Sequence, residues 1–186
     1  KDPVTGKPVP VAGVDVGEDV LVGDSGFALF ENIGGQRVLM SVETTDPGLG
    51  CNDFIYAGDG SDVVFGGSGN DTIDTGTDQS GDIVVGDNGE ADYSDGILKK
   101  IRSTDLVAAT GGGDIIFAGP GANVIIGGVG RDEITTLEGD DILLGDNGEA
   151  SFAATGGLTL IQSTGGGLGD GDIIDAGAGS NVVLGG

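Results

Sequence analysis

Residues 66–74, Gly-Gly-Ser-Gly-Asn-Asp-Thr-Ile-Asp, follow the pattern G-G-x-G-x-D-x-U-x, with U a bulky apolar residue. Such a unit permits few folds. Its glycines allow a tight turn with positive φ. Its aspartate places one carboxylate in that turn, and the three residues that follow form a short strand with an inward apolar side chain. Degenerate copies recur at 57–65, 118–126, 127–135 and 176–184. In two of them the aspartate is replaced by Asn123 and Asn181, which keep an oxygen but lose the charge. No helix of any length survives this glycine density.

A longer repeat carries the short one. Gly-Asp-(Ser/Asn)-Gly markers occupy 23–26, 86–89 and 145–148, and each follows an apolar triplet headed by Asp19, Asp82 or Asp141. Each marker leads into a segment with two strand-like runs around a glycine turn (Gly34-Gly35, Asp95-Gly96, Gly156-Gly157), which is hairpin chemistry. Triplets headed by Asp53, Asp114 and Asp172 then restart the nonapeptide series. Self-similarity at a period of about sixty residues predicts a solenoid. The expected fold is all-β, a β-solenoid with hairpin-like insertions about every sixty residues. The expected organisation is a linker or the end of a preceding unit over 1–12, holding three of the five prolines, and a solenoid over 13–186 with units near 13–75, 76–135 and 136–186. The final Gly185-Gly186 falls mid-motif, as expected of a segment from a longer array.

Two arrangements of the hairpins are open. Six turns between successive markers give three coils per unit if the hairpins are in line. If the hairpins stand aside as flaps, four in-line turns remain. Pairing of residues 27–30 with flanking coils would favour the first. In both, Val64, Ile73, Ile125, Ile134 and Val183 are expected to fill a thin core between two stacked sheets.

The net charge of −24 and a pI near 4.1 argue against nucleic acid and anionic membrane surfaces as partners. Histidine is absent and Cys51 stands alone, which excludes Ser-His-Asp and Cys-His catalysis, histidine zinc sites and an internal disulfide. No apolar run reaches the length of a membrane span, so membrane insertion is not expected. The 37% hydrophobic content separates the chain from disordered glycine-rich linkers. Aspartates stacked on successive coils would stand about 4.7–4.9 Å apart. Like charges at that spacing oppose folding unless a cation lies between them. Carboxylates and turn carbonyls together suit Ca²⁺, which accepts six to eight oxygens. Ca²⁺ binding and folding are therefore expected to be coupled.

These nonapeptides resemble the RTX (repeats-in-toxin) family, and the resemblance implies a parallel β-roll, a right-handed solenoid with two short strands per coil. The resemblance implies calcium ligation by the sixth-position residue, here Asp62, Asp71 and Asp132, with Asn123 and Asn181 as weaker equivalents. It also implies ligation by turn carbonyls, here at Gly58, Gly60, Gly67, Gly69, Gly119, Gly121, Gly128 and Gly130. By pattern alone Asp19, Asp53, Asp82, Asp114, Asp141 and Asp172 join the candidates. Asp24, Asp87 and Asp146 in the markers are either ligands or turn caps. The markers and hairpins depart from a compact RTX block and are similar to repeats of very large bacterial surface proteins. The expected function is a calcium-stabilised, non-enzymatic structural solenoid, secreted or on the cell surface, such as an adhesin stalk, surface fibre or matrix filament. End-to-end or lateral self-association is expected at exposed strand edges. The alternative is an RTX accessory domain that aids secretion and calcium-triggered folding of an exported hydrolase or toxin. An ice-binding face is disfavoured because the threonines form no consistent column.

Overall fold

The computed structural model describes residues 17–105 and 107–186. The expected linker and the first residues of the first unit lie outside them. Two parallel sheets and one antiparallel sheet make up the fold, stacked in three layers.

The middle sheet holds β1 (Val20–Val22), β5 (Val63–Phe65), β7 (Ile83–Val85), β11 (Val124–Gly128), β13 (Ile142–Asp146) and β17 (Val182–Leu184), in that order. The open sheet holds β4 (Phe54–Tyr56), β6 (Thr72–Asp74), β10 (Ile115–Phe117), β12 (Glu133–Thr135) and β16 (Ile173–Asp175). The chain alternates between the two, one strand to each sheet per coil, as the two-strand roll requires. Registers are unstaggered: Val64 faces Val84, Ile125 faces Leu143, and Ile73 lies between Ile55 and Ile116. The single helical element among the described residues is a 3₁₀ turn at Ala108–Thr110.

The third layer comprises the hairpins β2 (Gly26–Ile33) with β3 (Gln36–Thr44), β8 (Gly89–Ser94) with β9 (Ile97–Ser103), and β14 (Gly148–Phe152) with β15 (Leu158–Ser163). Both central turn residues are left-handed in the first two, at Gly34-Gly35 and Asp95-Gly96, as a two-residue hairpin demands. Each first strand carries a register shift at the same place, between Leu29 and Phe30, Asp92 and Tyr93, and Ser151 and Phe152. Neighbouring hairpins pair through β3–β8 and β9–β14 into one six-stranded sheet.

This resolves the two arrangements. Phe27 and Phe30 pair with Glu43 and Leu39 of their own hairpin, not with a coil. The hairpins are therefore not in-line coils, and each unit holds two coils and four in-line turns rather than three and six. Nor do they project freely, because their apolar face closes a second core against the middle sheet.

The expected thin core is present between the parallel sheets: Val64, Ile73, Ile125 and Ile134 are buried there with Val84, Ile116 and Leu143. Val183 is the exception. It pairs with Leu143, but its strand is the sheet's edge and it stays 43% exposed. The second core was not anticipated. Phe65, Val85, Ile126 and Leu144, on the opposite face of the same strands, pack against Val42, Ala91, Ile101 and Ala150 of the hairpins. Middle-sheet triplets are apolar throughout because both faces are covered. In the open sheet the central residue is buried in every strand but the edge strand β16, where Ile174 is half-buried, and Phe54, Ile115 and Ile173 remain exposed.

The fourth residue of each marker lets the chain leave the middle sheet for the hairpin layer. A Cβ on Gly26 would lie 2.8 Å from Val22 Cγ1, and one on Gly89 would lie 3.0 Å from Val85 Cγ1.

The double burial makes a direct test. Phe65→Ala should cost about 3–5 kcal/mol in calcium-saturated denaturant unfolding, the range for a fully buried aromatic. Phe54→Ala, on the open face, should cost about 1 kcal/mol or less. Equal losses would show that the hairpins do not cover the middle sheet.

Candidate metal centre

Every coil turns twice, so the candidate residues fall into two rows on opposite edges. Turns entering the middle sheet hold Asp19, Asp62, Asp82, Asn123, Asp141 and Asn181, and form edge I. Turns entering the open sheet hold Asp53, Asp71, Asp114, Asp132 and Asp172, and form edge II. Each residue immediately precedes its strand, so strand register places it directly above its counterpart.

One interaction recurs at every level. On edge II the backbone N–H of Asp53 donates to Asp71 Oδ1 at 2.7 Å, Asp71 to Asp114 at 2.7 Å, Asp114 to Asp132 at 2.8 Å and Asp132 to Asp172 at 2.9 Å. Edge I runs identically from Asp19 to Asn181, at 2.9–3.0 Å. Except at the last coil, which holds Asp172 and Asn181, the backbone carbonyl of each of these residues also accepts an N–H from the next coil, as Asp71 O does from Ile115. One carboxylate oxygen per residue is thus committed to joining coils.

The second oxygen on edge II has no such use. Oδ2 of Asp53, Asp71, Asp114, Asp132 and Asp172 is buried without a hydrogen-bond partner, and Asp71, Asp114 and Asp132 are each only 1% exposed. The glycines that follow the apolar triplets of the middle sheet line this row: Gly23, Gly66, Gly86, Gly127, Gly145 and Gly185. A Cβ on Gly66, Gly86 or Gly127 would collide with the carbonyl of the next glycine in the row and with Oδ2 of Asp71, Asp114 or Asp132. Carbonyl and carboxylate oxygens therefore converge there with no side chain between them. Burial, reinforced by neighbouring carboxylates, pushes Asp71 up to about 6, Asp132 to about 7 and Asp114 to about 9. Buried anionic oxygens of this kind call for a positive charge. The donor set consists of hard oxygens in number and kind suited to Ca²⁺.

The marker aspartates reach the same edge. Asp24 accepts N–H groups from Cys51 at 3.3 Å and from Ser68 at 2.7 Å. Asp87 accepts from Gly112 at 2.8 Å and from Val129. Each thus clips the chain returning from its hairpin to the turn of a neighbouring coil, which is the capping alternative for these residues. Burial and the nearby Asp114 push Asp87 up to about 10. Asp146 Oδ1 has no partner, and Asp146 stands close enough to Asp132 and Asp172 to repel both. In the first unit the Cys51 thiol joins Asp24 and Asp53, with ligand atoms all within 4.8 Å of one another.

Edge I is built differently. Thr75 Oγ1 donates to Asp82 Oδ2, and Thr136 Oγ1 donates to Asp141 Oδ2 at 2.8 Å. Asn123 Nδ2 donates to Gly119 O, Gly121 O and Asp141 Oδ1 at 3.0–3.2 Å. Asn181 Nδ2 donates to Ala176 O at 2.7 Å.

The structure divides the glycine candidates between the edges: Gly58, Gly60, Gly119 and Gly121 lie on edge I, and Gly67, Gly69, Gly128 and Gly130 on edge II. The glycines nearest the partnerless oxygens on edge II were missed by the nonapeptide reading, which attended to later motif positions. A signal for them exists. Every middle-sheet triplet is followed by glycine, at 23, 66, 86, 127, 145 and 185, whereas open-sheet triplets are followed by Ala57, Thr75, Ala118, Thr136 and Ala176.

The family model of the RTX calcium-binding nonapeptide repeat matches the chain in four copies, over residues 48–80 and 108–143. No curated protein and no solved structure matches the chain. The chain therefore carries RTX repeats, which bind Ca²⁺ and are structural rather than catalytic units.

The raised carboxyls set a pH dependence. A group with a folded-state pKa above its ordinary value of 3.8 stabilises the fold in its protonated form, and that contribution is lost as pH rises through the folded value. Without metal, stability should fall from the ordinary value of 3.8 upwards, with the contribution of Asp71 gone by about pH 6, that of Asp132 by about 7 and that of Asp114 by about 9. In metal-free buffer, far-UV circular dichroism should show more β structure at pH 5 than at pH 8, and saturating Ca²⁺ should remove most of the difference. Metal-free β content that rises with pH would contradict the burial of these carboxylates.

Proposed function

We propose that this segment is a calcium-stabilised structural solenoid of a large secreted or cell-surface bacterial protein, with edge II as its principal calcium array. The observation carrying this reading is the row of buried, partnerless Oδ2 atoms at Asp53, Asp71, Asp114, Asp132 and Asp172, set against glycine carbonyls. These carboxylates and the carbonyls of Gly66, Gly86, Gly127 and Gly145 are the proposed ligands. Bound Ca²⁺ supplies the positive charge that lets stacked carboxylates remain ionised, and it prefers flexible, many-oxygen shells that Mg²⁺ does not readily accept.

The chain's own residues do the remaining work. The Oδ1 ladders fix the vertical register of the coils, and the two cores hold each coil between its neighbours. The hairpin sheet stiffens one face of the roll by joining units laterally, and Arg102–Glu90 and Lys100–Glu149 ion pairs tie its strands at 2.6 Å. Because each coil contacts chiefly its neighbours, adding units lengthens the particle without thickening it. Such an element suits a stalk, fibre or matrix filament.

Folding should follow the ion. Far-UV circular dichroism at pH 8 should show a largely disordered chain in excess chelator and a β spectrum in millimolar Ca²⁺, with Mg²⁺ a poor substitute. Small-angle scattering in Ca²⁺ should show an elongated particle. A complete β spectrum in chelator, or a compact sphere in Ca²⁺, would sink the proposal.

A further inference from the structure

We infer that the two edges of the roll have divided the work of neutralising their carboxylates. Edge II depends on calcium, whereas edge I, from the Asp82 level to the Asn181 level, is closed by the protein's own hydrogen-bond donors and takes no ion. The inference rests on the calcium reading of edge II and narrows where calcium goes.

The residue that follows each parallel strand decides the matter. On edge II it is glycine, which leaves Oδ2 of Asp71, Asp114 and Asp132 facing bare carbonyl oxygens. On edge I it is threonine or alanine, and the choice is matched to the turn residue that follows. Thr75 precedes Asp82, and Thr136 precedes Asp141. In both pairs the buried hydroxyl donates to Oδ2, the atom left partnerless on edge II. Ala118 precedes Asn123, and Ala176 precedes Asn181. There no hydroxyl is present and none is needed, because the amide replaces the second carboxylate oxygen with a donor.

Asn123 shows the substitution most fully. Its Oδ1 accepts the N–H of Asp82 at 3.0 Å, which fixes the orientation of the amide, since the reverse would set two donors against each other. Its Nδ2 then points at Gly119 O and Gly121 O, the turn carbonyls that a cation would otherwise draw together. It also reaches Asp141 Oδ1 on the next coil. Asn123 is fully buried, so these bonds are not exchanged with water. Asn123 and Asn181 are therefore internal donors in the place of an ion rather than weakened ligands. Thr/Asp and Ala/Asn are two chemical solutions of one problem, and they alternate over four successive levels. The Asp62 level departs from the pairing, because Ala57 precedes an aspartate there.

Bound calcium per chain, measured by equilibrium dialysis at saturating Ca²⁺, tests the division. Asp114→Asn should lower the count and raise at least threefold the Ca²⁺ concentration at half-folding. Thr136→Val and Asn123→Ala should lower the thermal midpoint in Ca²⁺ while leaving the count at the wild-type value. The double variant Ala118→Thr/Asn123→Asp rebuilds the Thr75/Asp82 pair at the next level of the edge. It should keep the wild-type count, which preserves the test if Asn123→Ala fails to fold. A lower count in Thr136→Val or Asn123→Ala, or an added ion in the double variant, would overturn the inference. A wild-type chain that binds no calcium would instead overturn the proposed function.

Discussion

The bond from a turn N–H to the Oδ1 of the aspartate or asparagine one coil further on underlies the rest of the structure. It recurs at every level of both edges, at 2.7–3.0 Å. A one-residue slip would break it and turn the apolar strand residues out of both cores. It also explains why asparagine can replace aspartate, since only one oxygen is required. Its consequence is a row of second oxygens buried at the turns, and neutralising that row is the central electrostatic problem of the molecule. Hydroxyls and amides meet it on one edge from the Asp82 level onward, and the other edge leaves oxygens that suit a calcium ion.

The hairpin layer solves a separate problem. A roll with three-residue strands buries little apolar surface per coil, and its strands have two faces. By covering the outer face of the middle sheet, the hairpins bury Phe65, Val85, Ile126 and Leu144, on the face opposite the central residues that pack against the open sheet. They also pair with one another between units, so neighbouring units are joined twice, through coils and through hairpins. The marker aspartates Asp24 and Asp87 tie the two systems together by fixing where the chain re-enters the roll.

Calcium binding and the structural role then have a common origin. The acidic charge is concentrated in the turn rows, while four basic residues, Arg37, Lys99, Lys100 and Arg102, lie in the hairpin sheet. The repeats carry no catalytic constellation of the serine or cysteine type, because histidine is absent from the chain. Their recurring chemistry in space is a column of oxygens at the turns that join one coil to the next.

The sequence by itself determined the strands, the turns and the register. Each aspartate or asparagine heading an apolar triplet marks a strand start, and Gly34-Gly35 and Asp95-Gly96 mark hairpin tips, because local backbone preference and period-two burial decide these features. The candidate carboxylates were legible for the same reason. Only the tertiary structure decided what the hairpins do and which oxygens lack partners. Residues 27–30 could pair with a coil or with their own hairpin on local grounds, and the second core selects the hairpin. Asn123 and Asp141 stand on successive coils, so the hydrogen bond between them exists only once coils stack, whereas Thr75 and Asp82 meet across a single turn. The distinction between the edges is carried by single residues after each triplet, glycine on one side and alanine or threonine on the other. Its meaning lies in what faces those residues across the turn, which the chain fixes only when folded.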